Sequence, residues 1–125
     1  MYSVEETVES YTEQIHDQDE DRFKDLFTRD AVLISGTKLF SGVEEIYREF
    51  VRNLLHAKFT EISLVKENLT VRYVTEEVAV AVFQYHTECI LRKNGNSYGI
   101  AGIETQVLKK QGESWKIVHI QYALL

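Results

Sequence analysis

The sequence predicts an α+β domain, with helices from its first half packed on one face of a curved sheet made by its second half. Three observations carry this. Apolar residues recur at helical spacing up to about His56. From Phe59 the period changes to two, the alternation of a strand. Three turn signals, Thr75-Glu76-Glu77, Asn94-Gly95-Asn96 and Gln111-Gly112-Glu113, then divide the remainder into long antiparallel runs.

Taken in order, Ser3 and Glu6 have the spacing of a capping box, and Val4, Val8, Tyr11 and Ile15 follow as one apolar stripe. The first helix is expected from about Val4 to His16. Asp17-Gln18-Asp19 ends it, and Phe23, Leu26 and Phe27 mark a short second helix from about Glu20 to Phe27, closing a helical hairpin. Ala31–Ile34 reads as a short strand, Ser35-Gly36-Thr37-Lys38 as a turn and Leu39-Phe40 as a strand stub. Ser41 and Glu44 repeat the capping spacing before Val43, Ile46, Tyr47, Phe50, Val51, Leu54 and Leu55, so a third helix is expected from about Val43 to His56. Ile62 and Leu64, then Leu69, Val71 and Tyr73, alternate with polar residues on either side of Lys66-Glu67-Asn68, which reads as a bulge or kink in one long strand. Val78–Leu91 is a second long strand. Val107-Leu108 and Ile117, Val118 and Ile120 mark the two strands of a last hairpin.

With 125 residues the chain makes one domain, residues 1–125, and shows no internal repeat and no linker. A net charge of −6 argues against a nucleic-acid partner, which is bound through cationic contacts to phosphate. A single cysteine, Cys89, precludes an intrachain disulfide and fits a reducing compartment. No apolar run approaches the roughly 18 residues of a membrane span. The opening M-Y-S-V-E-E lacks the basic-then-apolar pattern of a signal peptide, so the reading is cytoplasmic, with no membrane partner. No phosphate loop, nucleophile elbow or zincin helix is present, and His86-x-Glu88 offers two metal ligands where a site needs a third, so neither metal nor cofactor is expected.

Glu104 is the odd residue. It shares a strand face with Ile100, Gly102 and Gln106, in a strand that should be central. Either it faces water or it sits in a pocket. In the long strand Val78, Val80, Val82, Gln84, His86 and Glu88 share a face that begins apolar and turns polar. That suits a strand running from core to pocket mouth, and equally one emerging into solvent. Alternation in the last strand places Val118, Ile120 and Tyr122 on one face and Trp115, Ile117, His119 and Gln121 on the other.

E-T-Q-V followed by W-K-I-V-H resembles the C-terminal hairpin of the nuclear transport factor 2-like superfamily. D-R-F-K-D-L-F-T-R-D-A-V-L and S-G-V-E-E-I-Y-R-E-F-V-R-N-L-L extend the resemblance over nearly the whole chain. The resemblance is closest to the association (hub) domain of calcium/calmodulin-dependent kinase II and its single-domain relatives, and looser to the polyketide cyclase-like (SnoaL-like) and ketosteroid isomerase-like branches. It implies a cone-shaped, mixed and mostly antiparallel sheet with three helices on its concave face and a pocket open at one end. Similarity to the hub domain places Tyr47, His86, Gln106 and Tyr122 at pocket positions. His86, Gln106 and Tyr122 stand where the hub has arginines, so its recognition of small anionic acids does not carry over. Similarity to the isomerases places Tyr11 at the catalytic tyrosine and Glu104 at the buried acid that donates to an oxyanion, an acid kept protonated by its apolar site. Ser35 stands where those enzymes have their general-base aspartate.

Two readings follow. In the first, the protein binds a mostly apolar small molecule and performs cofactor-free proton transfer of the isomerase, cyclase or dehydratase kind. Glu104 is then the acid/base, with His86 and Tyr11 as catalytic partners and Tyr47, Gln84, Glu88, Gln106 and Tyr122 as ligand contacts. In the second, it is a hub-like module, a homodimer or higher homo-oligomer, associating through the convex sheet face, where parity places Trp115, Ile117, Tyr85, Phe83 and His119. His16 and His56 end helices, and Cys89 reads as a buried, inert thiol.

Overall fold

The computed structural model describes residues 2–125. Helix α1, Val4–Asp17, opens with the expected capping box. Ser3 Oγ accepts from the Glu6 amide at 3.1 Å and Glu6 Oε1 accepts from the Ser3 amide at 2.9 Å. It ends at Gln18, in the left-handed region at φ 45°, whose amide returns to the Gln14 carbonyl. Helix α2, Glu20–Asp25, is capped by Asp19 and is shorter than the sequence suggests. Its expected last residue, Phe27, instead begins strand β1, Phe27–Ser35. Phe27 there pairs with Ile117, a long-range partner that local spacing cannot reveal. Strand β2, Lys38–Ser41, folds back on β1.

The third helix, α3, covers residues 43–58, with α-helical turns at Val43–Glu45 and His56–Lys58 and a π-helical stretch between them, Ile46–Leu55. There follow β3, Phe59–Tyr73, and β4, Val78–Leu91; the short β5, Ser97–Tyr98; and the closing hairpin of β6, Ala101–Gln111, and β7, Ser114–Leu124. The sheet order is β2-β1-β7-β6-β4-β3, with β5 beside β4. All pairs are antiparallel except β1 with β7, so the sheet is mixed, as the fold class anticipates. It curls around the helices, and the core fills the space between.

Of the sheet's four register shifts, two bear directly on the faces expected from sequence. The one in β3 falls where Lys66-Glu67-Asn68 predicts it. Asn68 takes φ 55°, and the register with β4 shifts between Glu67 and Thr70. The other, in β7, reverses an expectation. Leu108 pairs with Ile117 but Val107 pairs with His119, leaving Val118 as the extra residue. Trp115 and Ile117 therefore join Ile120 and Tyr122 on the inner face, and both are buried, not convex. His119 remains on the outer face, paired with Val107.

The face assignment of β4 is corrected as well. Phe83 lies opposite Glu104 and Tyr85 opposite Gly102, both buried on the inner face, while Gln84, His86 and Glu88 point outward. The valines that suggested a core face, Val78, Val80 and Val82, are only half-buried on the outside, and Ala79 and Ala81 carry the inner face. Small residues there leave room for α1 and for the side chains of Leu108 and Gln106, their direct cross-strand neighbours.

Candidate functional site

Glu104 sits in one continuous row across the inner face, in which Ser35, Tyr122, Glu104 and Phe83 follow each other on β1, β7, β6 and β4. The next row carries Leu33, Ile120, Gln106 and Ala81 on the same strands. Glu104 is 2% exposed and Gln106 0%. Gln106 Nε2 donates to Glu104 Oε2 at 2.7 Å. Burial raises the Glu104 carboxyl to about 7, and the Gln106 hydrogen bond only partly offsets this. The sequence alternatives for Glu104, water or pocket, resolve to the interior.

Glu104 faces a small cavity of about 40 Å³. Its polar lining is Tyr11 from α1, Tyr85 and Thr87 from β4, Glu104 from β6 and Tyr122 from β7. Its apolar lining includes Ile15, Phe50, Leu55, Ile62, Leu64 and Ile100. Phe50 and Leu55 both reach it because residues five apart share a side in a helix bonded from i to i+5; in an α-helix they would diverge. Tyr122 and Ser35 share a short hydrogen bond, which fixes the phenol's position. Tyr85 and Tyr122 meet edge to face, with ring centroids 6.0 Å apart.

Tyr85 owes its place to Gly102. A Cβ at Gly102 would lie 2.2 Å from the Ala123 carbonyl oxygen and 2.7 Å from the Tyr85 hydroxyl. The Tyr85 hydroxyl and Gln106 Oε1 are buried without a hydrogen-bond partner. Burial pushes the Tyr11, Tyr85 and Tyr122 phenols above their ordinary range, and the nearby Glu104 charge adds to each shift. All three stay protonated at neutral pH and can donate. A carboxyl titrating near neutrality beside three phenol donors, in a site walled by apolar groups, can give or take a proton.

Of the residues expected at the site, the structure brings Glu104, Tyr11 and Tyr122 to the cavity, with Gln106 directly behind Glu104. It does not bring the others. His86 lies on the outer face between Glu67 and Glu88, at 3.2 Å from each. Glu88 points outward, and Gln84 accepts from Asn68 there. Tyr47 is buried elsewhere. It donates to the Gln18 carbonyl at 2.8 Å, packs on Phe23 and receives the Lys24 ammonium over its ring at 5.7 Å, tying α1 to α3. His56 reaches the Ile15 carbonyl at the C-terminal end of α1, and His16 pairs with Asp17. Cys89 is buried on the strand face opposite His86, and burial raises its thiol. Tyr85 was missed. The alternation of Phe83, Tyr85 and Cys89 with Gln84, His86 and Glu88 was legible, but which set turns inward is decided by the register with β6. No group of three or more metal-binding side chains occurs among the described residues, and no helix there is long and apolar enough to cross a membrane.

A curled sheet around three helices, with its polar residues converging inside, defines the cone-fold class. Residues 4–124 match the SnoaL-like domain, and the chain belongs to that family, within the nuclear transport factor 2-like superfamily. A nuclear transport factor 2-like protein from Salmonella enterica serovar Typhimurium is 26% identical, superposes with a TM-score of 0.88, and is matched over 95% of this chain and 86% of its own. The type 3 hexachlorocyclohexane dehydrochlorinase LinA from Novosphingobium barchaimii is 16% identical, with a TM-score of 0.87 over 97% of this chain and 83% of its own. A protein assigned as a calcium/calmodulin-dependent kinase II association domain, from Xanthomonas campestris, is 20% identical, with a TM-score of 0.80 over 94% and 82%. At such identities the last two likenesses speak for the fold alone. No curated protein sequence matches the chain.

Proposed function

We propose that the protein is a small-molecule pocket protein that performs cofactor-free proton transfer, of the isomerase, cyclase or dehydratase kind, on a compact and largely apolar substrate. The observation that carries this reading is Glu104, a fully buried carboxyl titrating near neutrality and aimed into a cavity lined by three phenols. Glu104 is the acid/base, and Tyr11, Tyr85 and Tyr122 position and polarise the substrate. The elimination chemistry named for the dehydrochlorinase neighbour is of the same general kind. The cavity admits only a few heavy atoms, so a larger substrate requires side chains such as Leu55 and Leu64 to move aside.

The test is a thermal-shift screen of wild type and Glu104→Gln against small ketones, lactones and amines. A ligand that binds the folded state raises its melting temperature by mass action. A hit that weakens in Glu104→Gln supports the reading and names a substrate class for turnover assays. A protein that no compound stabilises, with the variant equal to wild type, sinks it.

A second reading, compatible with the first, is self-association through the outer sheet face into a homodimer or higher homo-oligomer. The observation favouring it is a half-buried strip of Val80, Val82 and Val107, continued by Ile103 at 42% and Val65 at 36% exposure. Sedimentation of the protein over a hundredfold concentration range tests it; a monomer throughout overturns it.

A further inference from the structure

We propose that the group this cavity selects is a small organic cation, an alkylammonium held between the Glu104 carboxylate and the ring faces of Tyr11, Tyr85 and Tyr122. The inference rests on the cavity being the ligand site and adds the charge and chemical class of what enters it.

Three features of different origin agree. The first is a missing countercharge. Glu104 is faced by Tyr11 from α1, Phe83 and Tyr85 from β4, its neighbour Gln106 on β6, and Tyr122 from β7 with Ser35 of β1 behind it. No lysine, arginine or histidine lines the cavity, and Gln106 provides the direct hydrogen bond. A buried carboxylate without a cationic partner is costly, and a ligand bearing a positive charge removes that cost. A carboxylate ligand would instead set a like charge beside Glu104 and be tolerated only with Glu104 protonated. The second feature is the wall. The rings of Tyr11, Tyr85, Tyr122 and Phe50 line the same space, the Phe50 centroid lying 6.1 Å from that of Tyr122, and aromatic rings attract ammonium groups.

The third feature lies outside. Thr87 lines both the cavity and a surface groove of about 590 Å³ that also carries Glu61 and Glu88. Leu64 lines both the cavity and an adjoining groove of about 340 Å³ that carries Glu9, Glu13 and Asp17. The histidine in these grooves, His16, is paired with Asp17, and nearby Lys66 is paired with Glu9. The charged residues lining these two grooves are thus mostly acidic, with Lys58 standing over the Tyr98 ring of the larger one at 5.1 Å from its centroid, and an acidic balance concentrates cations. The volume of about 40 Å³ suits a head group of roughly three or four heavy atoms, taking one water-sized atom per 10–15 Å³.

The experiment titrates the intact protein with trimethylamine and isopropylamine, and with isopropanol and acetate as neutral and anionic counterparts of the same size, at matched ionic strength. Binding is read by thermal shift and calorimetry at pH 8 and pH 5.5. The amines stay protonated at both. Since Glu104 ionises at about 7, amine affinity is expected to be about 30-fold weaker at pH 5.5 than at pH 8. Binding at pH 7 should release part of a proton, seen as a heat that depends on the buffer's ionisation enthalpy. Glu104→Gln should abolish the response. Should that variant not fold, Tyr122→Leu serves in its place, with an expected loss of roughly fivefold for one ring face. Isopropanol or acetate binding through Glu104 without amine binding overturns the cation and leaves the pocket standing. No binding by any probe overturns both. Amine binding undiminished in Glu104→Gln assigns the amine to the outer grooves and overturns the proposal.

Discussion

A glutamate among phenols is the residue on which the reading of this protein turns, and its ionisation is linked to folding. Its carboxyl titrates at about 7 when folded and near 4.5 when unfolded, so between those values the folded state holds the extra proton. Its contribution to stability is fully present below pH 4.5 and is lost as pH rises through 7. The loss amounts to about 3 kcal/mol at 1.36 kcal/mol per unit. Wild type should therefore lose urea resistance between pH 5 and 8, while Glu104→Gln keeps most of its own; denaturation midpoints at four pH values check this. Gly102 gives a second prediction at this scale. Gly102→Ala drives a Cβ against the Ala123 carbonyl and the Tyr85 hydroxyl. The expected cost is about 3 kcal/mol, with Tyr85 displaced from the cavity, measured by thermal denaturation and tyrosine near-ultraviolet dichroism.

Among the elements, β7 carries the most consequence per residue. Val118 is the extra residue that lets Trp115 and Ile117 share a face with Ile120 and Tyr122. Deleting it forces the strand to keep one pair inside and turn the other out. The Val118 deletion should abolish the cooperative unfolding transition, whereas Val118→Ala should cost no more than about 1 kcal/mol at this half-buried site. Helix α1 depends on its reciprocal cap, so Ser3→Ala should lower stability by about 1 kcal/mol, read from chemical denaturation. The π-helical stretch of α3 is the other element with a functional consequence. It turns Phe50 and Leu55 to the same side, and they close the cavity that Glu104 opens onto.

For the molecule as a whole, the inner and outer faces of one sheet divide the labour. The inner face holds the core and the titrating site; the outer face holds valines, polar side chains and the His86 cluster with Glu67 and Glu88. If the outer face is where copies meet, Val82→Glu places a charge in the middle of the contact. Sedimentation should then report monomer for Val82→Glu and a larger species for wild type, with unchanged far-ultraviolet dichroism in both. A wild type that is itself monomeric would remove the second reading and leave the pocket reading untouched.

The class of fold was legible in the amino-acid sequence, because period, capping residues and turn residues are local properties. Ser3 with Glu6, the apolar stripe of α1, the Lys66–Asn68 interruption and the last hairpin are all legible without a partner. The sequence also singled out Glu104, since a carboxylate among apolar residues in a central strand demands a reason. It could not settle which face of β4 turns inward. Valine favours a strand whichever way it points, and alternation alone fixes only that Val82 and Phe83 oppose each other. Nor could it foresee that one unpaired residue, Val118, reverses the parity of everything before it in β7. Those choices are made by register with a neighbouring strand and by the space left for α1, which are long-range quantities. Tertiary structure alone therefore exchanged His86 for Tyr85 at the site and left Glu104 among phenols with no cation to meet it.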